Sequence, residues 1–134
     1  MEHSLPADTH PFVFYALGAT KRPGRAALRV FTRAEKRQDT IYIPSVCFFE
    51  LALLVESGKV RSPVPFSEWK ERMETTGAFL VEPLTWEDVA QAYALAVLVD
   101  PFDRLIVGTA NRLRCPLITR DSRIAESRLI ATVW

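Results

Sequence analysis

The chain has 134 residues, 49% of them hydrophobic and 25% charged, with a formal net charge of +1. That length suits one domain, read here as residues 1–134, and the composition excludes both disorder and collagen-like repetition. No apolar run approaches the roughly 20 residues that cross a bilayer and no signal peptide opens the chain, so the cytosol is the expected compartment.

In chain order, Ser4–Ala7 reads as a short strand running into Asp8, although Pro6 lacks a ladder donor. Thr9-His10-Pro11 starts a helix through the apolar run Phe12 to Leu17, closed by Gly18. From Gly24 to Arg37, Ala27, Val30, Phe31 and Ala34 recur at helical spacing, while Arg25, Arg29, Arg33 and Lys36 form a basic stripe. Lys21, Arg22 and Arg37 extend this basic stretch, and six arginines from Arg104 to Arg128 make a second one. Thr40–Ile43 is a strand, and Pro44-Ser45 opens an apolar helix through Phe48, Leu51, Leu54 and Val55, ended by Ser57-Gly58.

Ser67 is read as the N-cap of a helix through Trp69 and Met73, and Ala78–Val81 as the next strand. Thr85-Trp86-Glu87-Asp88 has capping-box spacing ahead of a helix with Val89, Ala92, Tyr93 and Ala96 as its apolar positions. Asp100-Pro101 opens another helix, apolar at Leu105, Ile106, Val107 and Ala110. Pro116–Thr119 is a strand, and Leu129–Val133 is read as the last one. Cys47 and Cys115, the only cysteines, lie in or beside apolar segments, so buried thiols are expected and not a disulfide framework or a cysteine zinc site.

Strands alternating with helices imply an α/β fold, a parallel sheet with right-handed crossovers and helices on both faces. Ligands in such folds sit beyond the carboxyl ends of the strands. Asp8 follows the first strand and Asp121 the strand ending at Thr119, so both carboxylates are placed at one sheet edge.

Glu50 stands in a helix so apolar that its charge must be partly buried, and a buried carboxylate needs a cation, a metal or a proton. Asp100 precedes a proline and is best placed to cap its helix, while Asp103 lies in the first turn, where an anion is favoured. Asp8, Glu50, Asp103 and Asp121 can converge at one edge only if a cation offsets their repulsion. Oxygen ligands without histidine or thiol select Mg²⁺ or Mn²⁺, and the only histidines are His3 and His10. Such a site suits phosphodiester hydrolysis. Thr119 could bond a carboxylate or phosphate oxygen, or simply satisfy itself locally. A Gly-rich phosphate loop and a serine nucleophile elbow are absent, and no lysine follows Lys70, which disfavours phosphoryl-accepting α/β folds.

Over essentially its whole length the sequence resembles the PIN domain family, specifically the VapC toxins. The resemblance is carried by Asp8-Thr9-His10, Pro44-Ser45 leading to Glu50, Gly58-Lys59-Val60, Pro83-Leu84-Thr85, the run Asp100-Pro101-Phe102-Asp103-Arg104-Leu105-Ile106-Val107, and Leu117-Ile118-Thr119-Arg120-Asp121. It implies a three-layer α/β/α fold with a five-stranded parallel sheet. It also implies an acidic metal site of Asp8, Glu50, Asp103 and Asp121 supported by Asp100 and Thr119, a Mg²⁺ or Mn²⁺ ion, and RNA cleavage. Its implied partners are a second copy in a homodimer and a small VapB-like antitoxin. The departure is at Met1–Ala7, less apolar than the family's usual first strand. Two other readings compete: an RNA-processing nuclease without an antitoxin, and a catalytically silent binding module.

Overall fold

Among the described residues every strand pairing is parallel. The computed structural model describes residues 4–18 and 22–134; His3 and Lys21 of the sequence reading lie outside them. Strand β2 (Ile41–Pro44) lies between β1 (Leu5–Pro6) and β3 (Phe79–Glu82), and β4 (Leu117–Ile118) pairs with β5 (Thr132–Val133). A parallel bridge between Ala7 and Ile118, with the Asp8 N–H donating to the Ile118 carbonyl at 2.9 Å, joins the two ladders. The resulting order is β3-β2-β1-β4-β5, so the five strands meet as two ladders across one bridge.

Parallel neighbours require crossovers, which the helices supply. α1 (Thr9–Leu17) and α2 (Arg25–Glu35) connect β1 to β2, and α3 (Ser45–Glu56) and α4 (Trp69–Thr75) connect β2 to β3. α5 (Trp86–Ala94) and α6 (Pro101–Leu113) lead from β3 to β4, and α7 (Ser122–Ser127) leads to β5. Ile41, Ile43, Leu117 and Ile118 are fully buried, as the inner strands of a covered sheet should be. Tyr15 packs between Phe31 and Phe79, with ring centroids 5.3 and 4.7 Å away.

Local signals set several boundaries. Asp8 caps α1 by accepting from the Thr9 N–H, and Gly18 ends it at φ 66°, a conformation that glycine adopts without a Cβ penalty. Thr85 and Asp88 form the expected capping box of α5. Asp100 caps α6, accepting from the Phe102 and Asp103 amides at 2.8 and 3.2 Å.

Elsewhere the structure departs from the sequence reading. Ser67 does not cap a helix: after Pro65 the chain makes a 3-10 turn at Phe66–Glu68, and α4 begins at Trp69 without a side-chain cap. Helix α5 stops at Ala94, short of Ala96, because the chain turns to bury Leu95 and Leu98. Val89 and Tyr93 face solvent, Tyr93 being 89% exposed; the buried face of α5 is Asp88 with Ala92. The last strand is only Thr132–Val133, since Leu129 and Ile130 pack on the core before it begins. Helix α7, capped by Asp121, was not read from the sequence. Cys47 is buried, whereas Cys115 is only partly so.

The α5 and α6 helices are clamped through a buried ion pair. Arg112 donates from Nε to Asp88 Oδ1 at 2.6 Å and from Nη2 to Oδ2 at 3.2 Å, and it also meets Glu82 at 2.8 Å. The Thr109 hydroxyl and Thr85 amide complete the shell of Asp88 at 3.0 and 3.1 Å. Gly108 allows this approach, because a Cβ there would lie 2.8 Å from the Asp88 carbonyl oxygen. The clamp fixes α6, whose opposite end carries Asp100 and Asp103.

Candidate acidic site

Four elements deliver carboxylates to the carboxyl edge of the strands. Asp8 follows β1, Asp121 follows β4, Glu50 lies midway along α3, and Asp103 sits in the first turn of α6. Three of them feel other acids: Asp8, Asp100, Asp121 and Glu50 all act on Asp103, Asp8 and Asp100 act on Glu50, and Asp121 acts on Asp8. The acids singled out from the sequence, Asp8, Glu50, Asp103, Asp121 and Asp100, therefore share one electrostatic neighbourhood.

Hydroxyls orient two of them. Thr119 Oγ1 donates to Asp8 Oδ2 at 2.7 Å and accepts the Asp121 N–H at 3.0 Å. Both roles open to Thr119 are thus present: it bonds a carboxylate and it satisfies a local backbone N–H. Thr9 Oγ1 donates to Glu50 Oε1 at 2.6 Å. Thr9 was not singled out as a site residue; the available signal was its place beside Asp8, but its partner is 41 positions away.

The protonation behaviour follows from burial. Asp8 is buried, which raises its carboxyl; the Thr119 and Thr9 bonds and nearby His10 pull it back, and it remains above the usual range. Burial pushes Glu50 up to about 6, opposed by Thr9 and reinforced by Asp8 and Asp100. Asp103 reaches about 7, through burial first and then the repulsion of Asp8, Asp100, Asp121 and Glu50. The favourable first-turn position does not outweigh that desolvation, as the few tenths to 1 kcal/mol of a helix end are small beside it. Asp121 differs: burial raises it, but hydrogen bonds from the Arg123 side chain and amide leave it below the ordinary value.

Among the described residues no Arg or Lys forms an ion pair with Asp8, Glu50 or Asp103. Nor is any group of three His, Cys, Asp or Glu side chains among them arranged to enclose a metal ion as it stands. The donor set is nonetheless the right kind for a hard divalent cation: carboxyl oxygens from four elements, three of them desolvated beside further acids. The residues fit Mg²⁺ or Mn²⁺ by their chemistry, with Thr9 and Thr119 restraining two of the four. Arg123, missed in the sequence, is the guanidinium that senses Asp121, Asp103 and Asp100 together; the Asp-Ser-Arg spacing at Asp121 was its only signal.

Of the described residues, no helix is long and apolar enough to cross a membrane. The model of the PIN domain family matches residues 7–128. Ribonuclease VapC22 of Mycobacterium tuberculosis is 31% identical over 111 residues, which covers 77% of this chain and 81% of that protein. The crystal structure of VapBC2 from Rickettsia felis, bound to a DNA fragment from their promoter, is similar at a TM-score of 0.67 and 13% identity, covering 96% of each chain. A toxin–antitoxin complex from Klebsiella pneumoniae is similar at a TM-score of 0.61 and 18% identity, again over 96% of each. At these identities the structural likeness speaks for the fold.

Proposed function

Because the chain belongs to the PIN domain family and to its VapC type, we propose that it is a Mg²⁺- or Mn²⁺-dependent endoribonuclease, the toxin of a toxin–antitoxin pair, with residues 1–134 acting as one domain. The observation that carries this reading is the placement of Asp8, Glu50 and Asp103 at one sheet edge, each carboxyl raised first by burial and then by other acids beside it. Three carboxyls desolvated beside further acids form an unfavourable arrangement for a purely structural site, and a suitable one for a cation.

Asp8, Glu50, Asp103 and Asp121 are the proposed oxygen donors, with Asp100 and Thr119 in support. The chemistry that a divalent cation would supply there is Lewis acidity toward water and toward the charge of a phosphodiester under hydrolysis. The chain's own part is geometric. Thr119 holds Asp8, Thr9 holds Glu50, and the Asp100 cap sets the first turn of α6 from which Asp103 projects. Asp103, at about 7, gives up its proton near neutral pH and so becomes an anion where a cation can use it.

The proposed partners are RNA as substrate, a small VapB-like antitoxin, and a second copy in a homodimer, in the cytoplasm. For the dimer, the exposed stripe of Trp86, Val89 and Tyr93 along α5 offers an apolar face. The antitoxin rests on the likeness to toxin–antitoxin complexes. The test is direct: purified protein cleaves single-stranded or looped RNA with added Mg²⁺ or Mn²⁺ and is silent in chelator. Cleavage that survived exhaustive chelation would overturn the metal-dependent reading, since a metal-free route needs a histidine or lysine acid-base pair.

A further inference from the structure

A set of carboxylates attracts a cation but repels the phosphodiester it is meant to cleave, so RNA must be held by something beside them. A cavity of ≈ 310 Å³ opens next to Asp100 and Asp103, between the Val97–Asp100 segment and α7. Its walls include Val97, Val99, Arg123 and Glu126. Val97 and Val99 are 70% and 86% exposed although Leu95 before them and Leu98 between them are buried. The segment therefore turns two branched apolar side chains outward beside the acids.

Across the cavity stands Arg123, its side chain 74% exposed. Its contacts with Asp121, 3.3 Å from Nη2 to Oδ2 and 3.5 Å from Nε to Oδ1, are long. An exposed pair of this geometry holds the guanidinium weakly. A cation bound by Asp121 would offset the charge that attracts Arg123, and the guanidinium fork would then be available to two phosphate oxygens.

We infer that this cavity seats the nucleotide next to the scissile phosphate, with Arg123 on a phosphate oxygen, Val97 and Val99 against the base, and Glu126 on the base edge. The inference rests on the ribonuclease reading above. Aliphatic side chains pack on the faces of any base and do not choose among them. Glu126 does, because an ionised carboxylate is only an acceptor. Guanine presents two adjacent donors on its Watson–Crick edge, N1–H and N2–H. Uracil presents one N–H flanked by two carbonyl oxygens, and adenine and cytosine each place a ring acceptor beside their amino group. The subsite should therefore prefer guanine.

The test is binding of labelled single-stranded RNA in Ca²⁺, with and without a guanine, to the parent, Arg123→Gln and Glu126→Gln, over a salt series. Arg123→Gln should weaken binding about tenfold and lower the slope of log K against log salt by about 0.7, the release expected for one phosphate contact on a single strand. The parent should favour the guanine-containing RNA by roughly tenfold, and Glu126→Gln should remove most of that preference without changing the slope. Arg123→Gln with the parent's affinity and slope, or a guanine preference that is absent or untouched in Glu126→Gln, would overturn the inference. If the parent still cleaves RNA with Mn²⁺ in that case, only the subsite fails; if the parent neither binds nor cleaves RNA, the ribonuclease reading fails and the subsite with it.

Discussion

Thr119 and Asp8 are 111 positions apart, yet the Thr119 hydroxyl donates to Asp8 Oδ2 at 2.7 Å. Strands β1 and β4 meet through a single bridge at this point, so the bond also closes the seam between the two ladders.

Replacing that hydroxyl tests its role. Thr119→Val should cost about 1–3 kcal/mol, because it leaves a buried carboxyl short of a donor. RNA cleavage should fall roughly ten- to a hundredfold, the usual penalty for losing a group that orients a metal ligand, and Thr119→Ser should restore most of it. Chemical denaturation beside a cleavage assay reads both; a fully active Thr119→Val would remove Thr119 from the site.

Asp103→Asn should abolish cleavage while leaving the metal-free protein as stable as the parent or more so. Burial first, and then four other acids, raise Asp103 in the parent to about 7, so deleting the charge should add on the order of 1–2 kcal/mol near pH 8 after solvent screening. The same change should remove most of the rise in melting temperature that Mn²⁺ gives the parent by mass action. Melting curves of both proteins with and without Mn²⁺ check the pair of effects, and a variant that stayed active and metal-stabilised would sink the assignment.

The metal-free protein should lose stability as pH rises from about 4 to about 7. Asp103 at about 7 and Glu50 at about 6 hold their protons in the folded state where the unfolded chain, with ordinary values of 3.8 and 4.5, has released them. Stabilisation from these groups is complete below the unfolded values and is gone once pH passes the folded ones. The depressed acids Asp88 and Asp121 act in the opposite sense, below their ordinary value of 3.8, and so stay out of this window. Saturating Mn²⁺ should flatten or reverse the trend. Melting temperatures from pH 4.5 to 8 decide it, and a metal-free protein whose melting temperature climbed steadily through that range would contradict the account.

Arg112→Leu should destabilise the protein by roughly 3 kcal/mol, since it strands the buried Asp88 carboxylate with only the Thr109 and Thr85 donors. Adding Asp88→Asn should recover part of the loss, as the uncompensated charge is what costs most. Two single variants and the double variant, unfolded in urea, give the coupling; strictly additive losses would mean that the pair does not act as a clamp.

The basic stripe is smaller than its sequence suggests, because Arg33 donates to the buried Asp39 at 2.7 Å and is thereby committed. Arg25 and Arg29 remain exposed on α2, and Lys36 at its C-cap. Arg25→Glu with Arg29→Glu should weaken RNA or antitoxin binding and flatten its salt dependence, by about 1.4 in slope if both meet RNA phosphates. Unchanged affinity for both ligands at every salt concentration would make the stripe a solvated face.

What the sequence determined by itself is what depends on residues a few positions apart: the Thr85 and Asp100 caps, the Gly18 stop, and the alternation that makes the sheet parallel. The placement of Asp8 and Asp121 was legible for the same reason, since a carboxylate at the end of each of two strands is visible wherever strands can be read. Tertiary structure decided how those acids behave. Asp103 lies at a helix start that favours its charge, and only its burial beside Asp8, Asp121 and Glu50 reverses that preference. Thr9 finds Glu50 41 positions away, and Asp88 finds Arg112 at 24, distances over which the chain pattern specifies no contact. Periodicity likewise marked Val89 and Tyr93 as apolar, but the face that α5 buries was chosen by the Asp88–Arg112 clamp and the close approach at Gly108. Desolvation and long-range pairing depend on several elements packing at once, and no local run of residues encodes them.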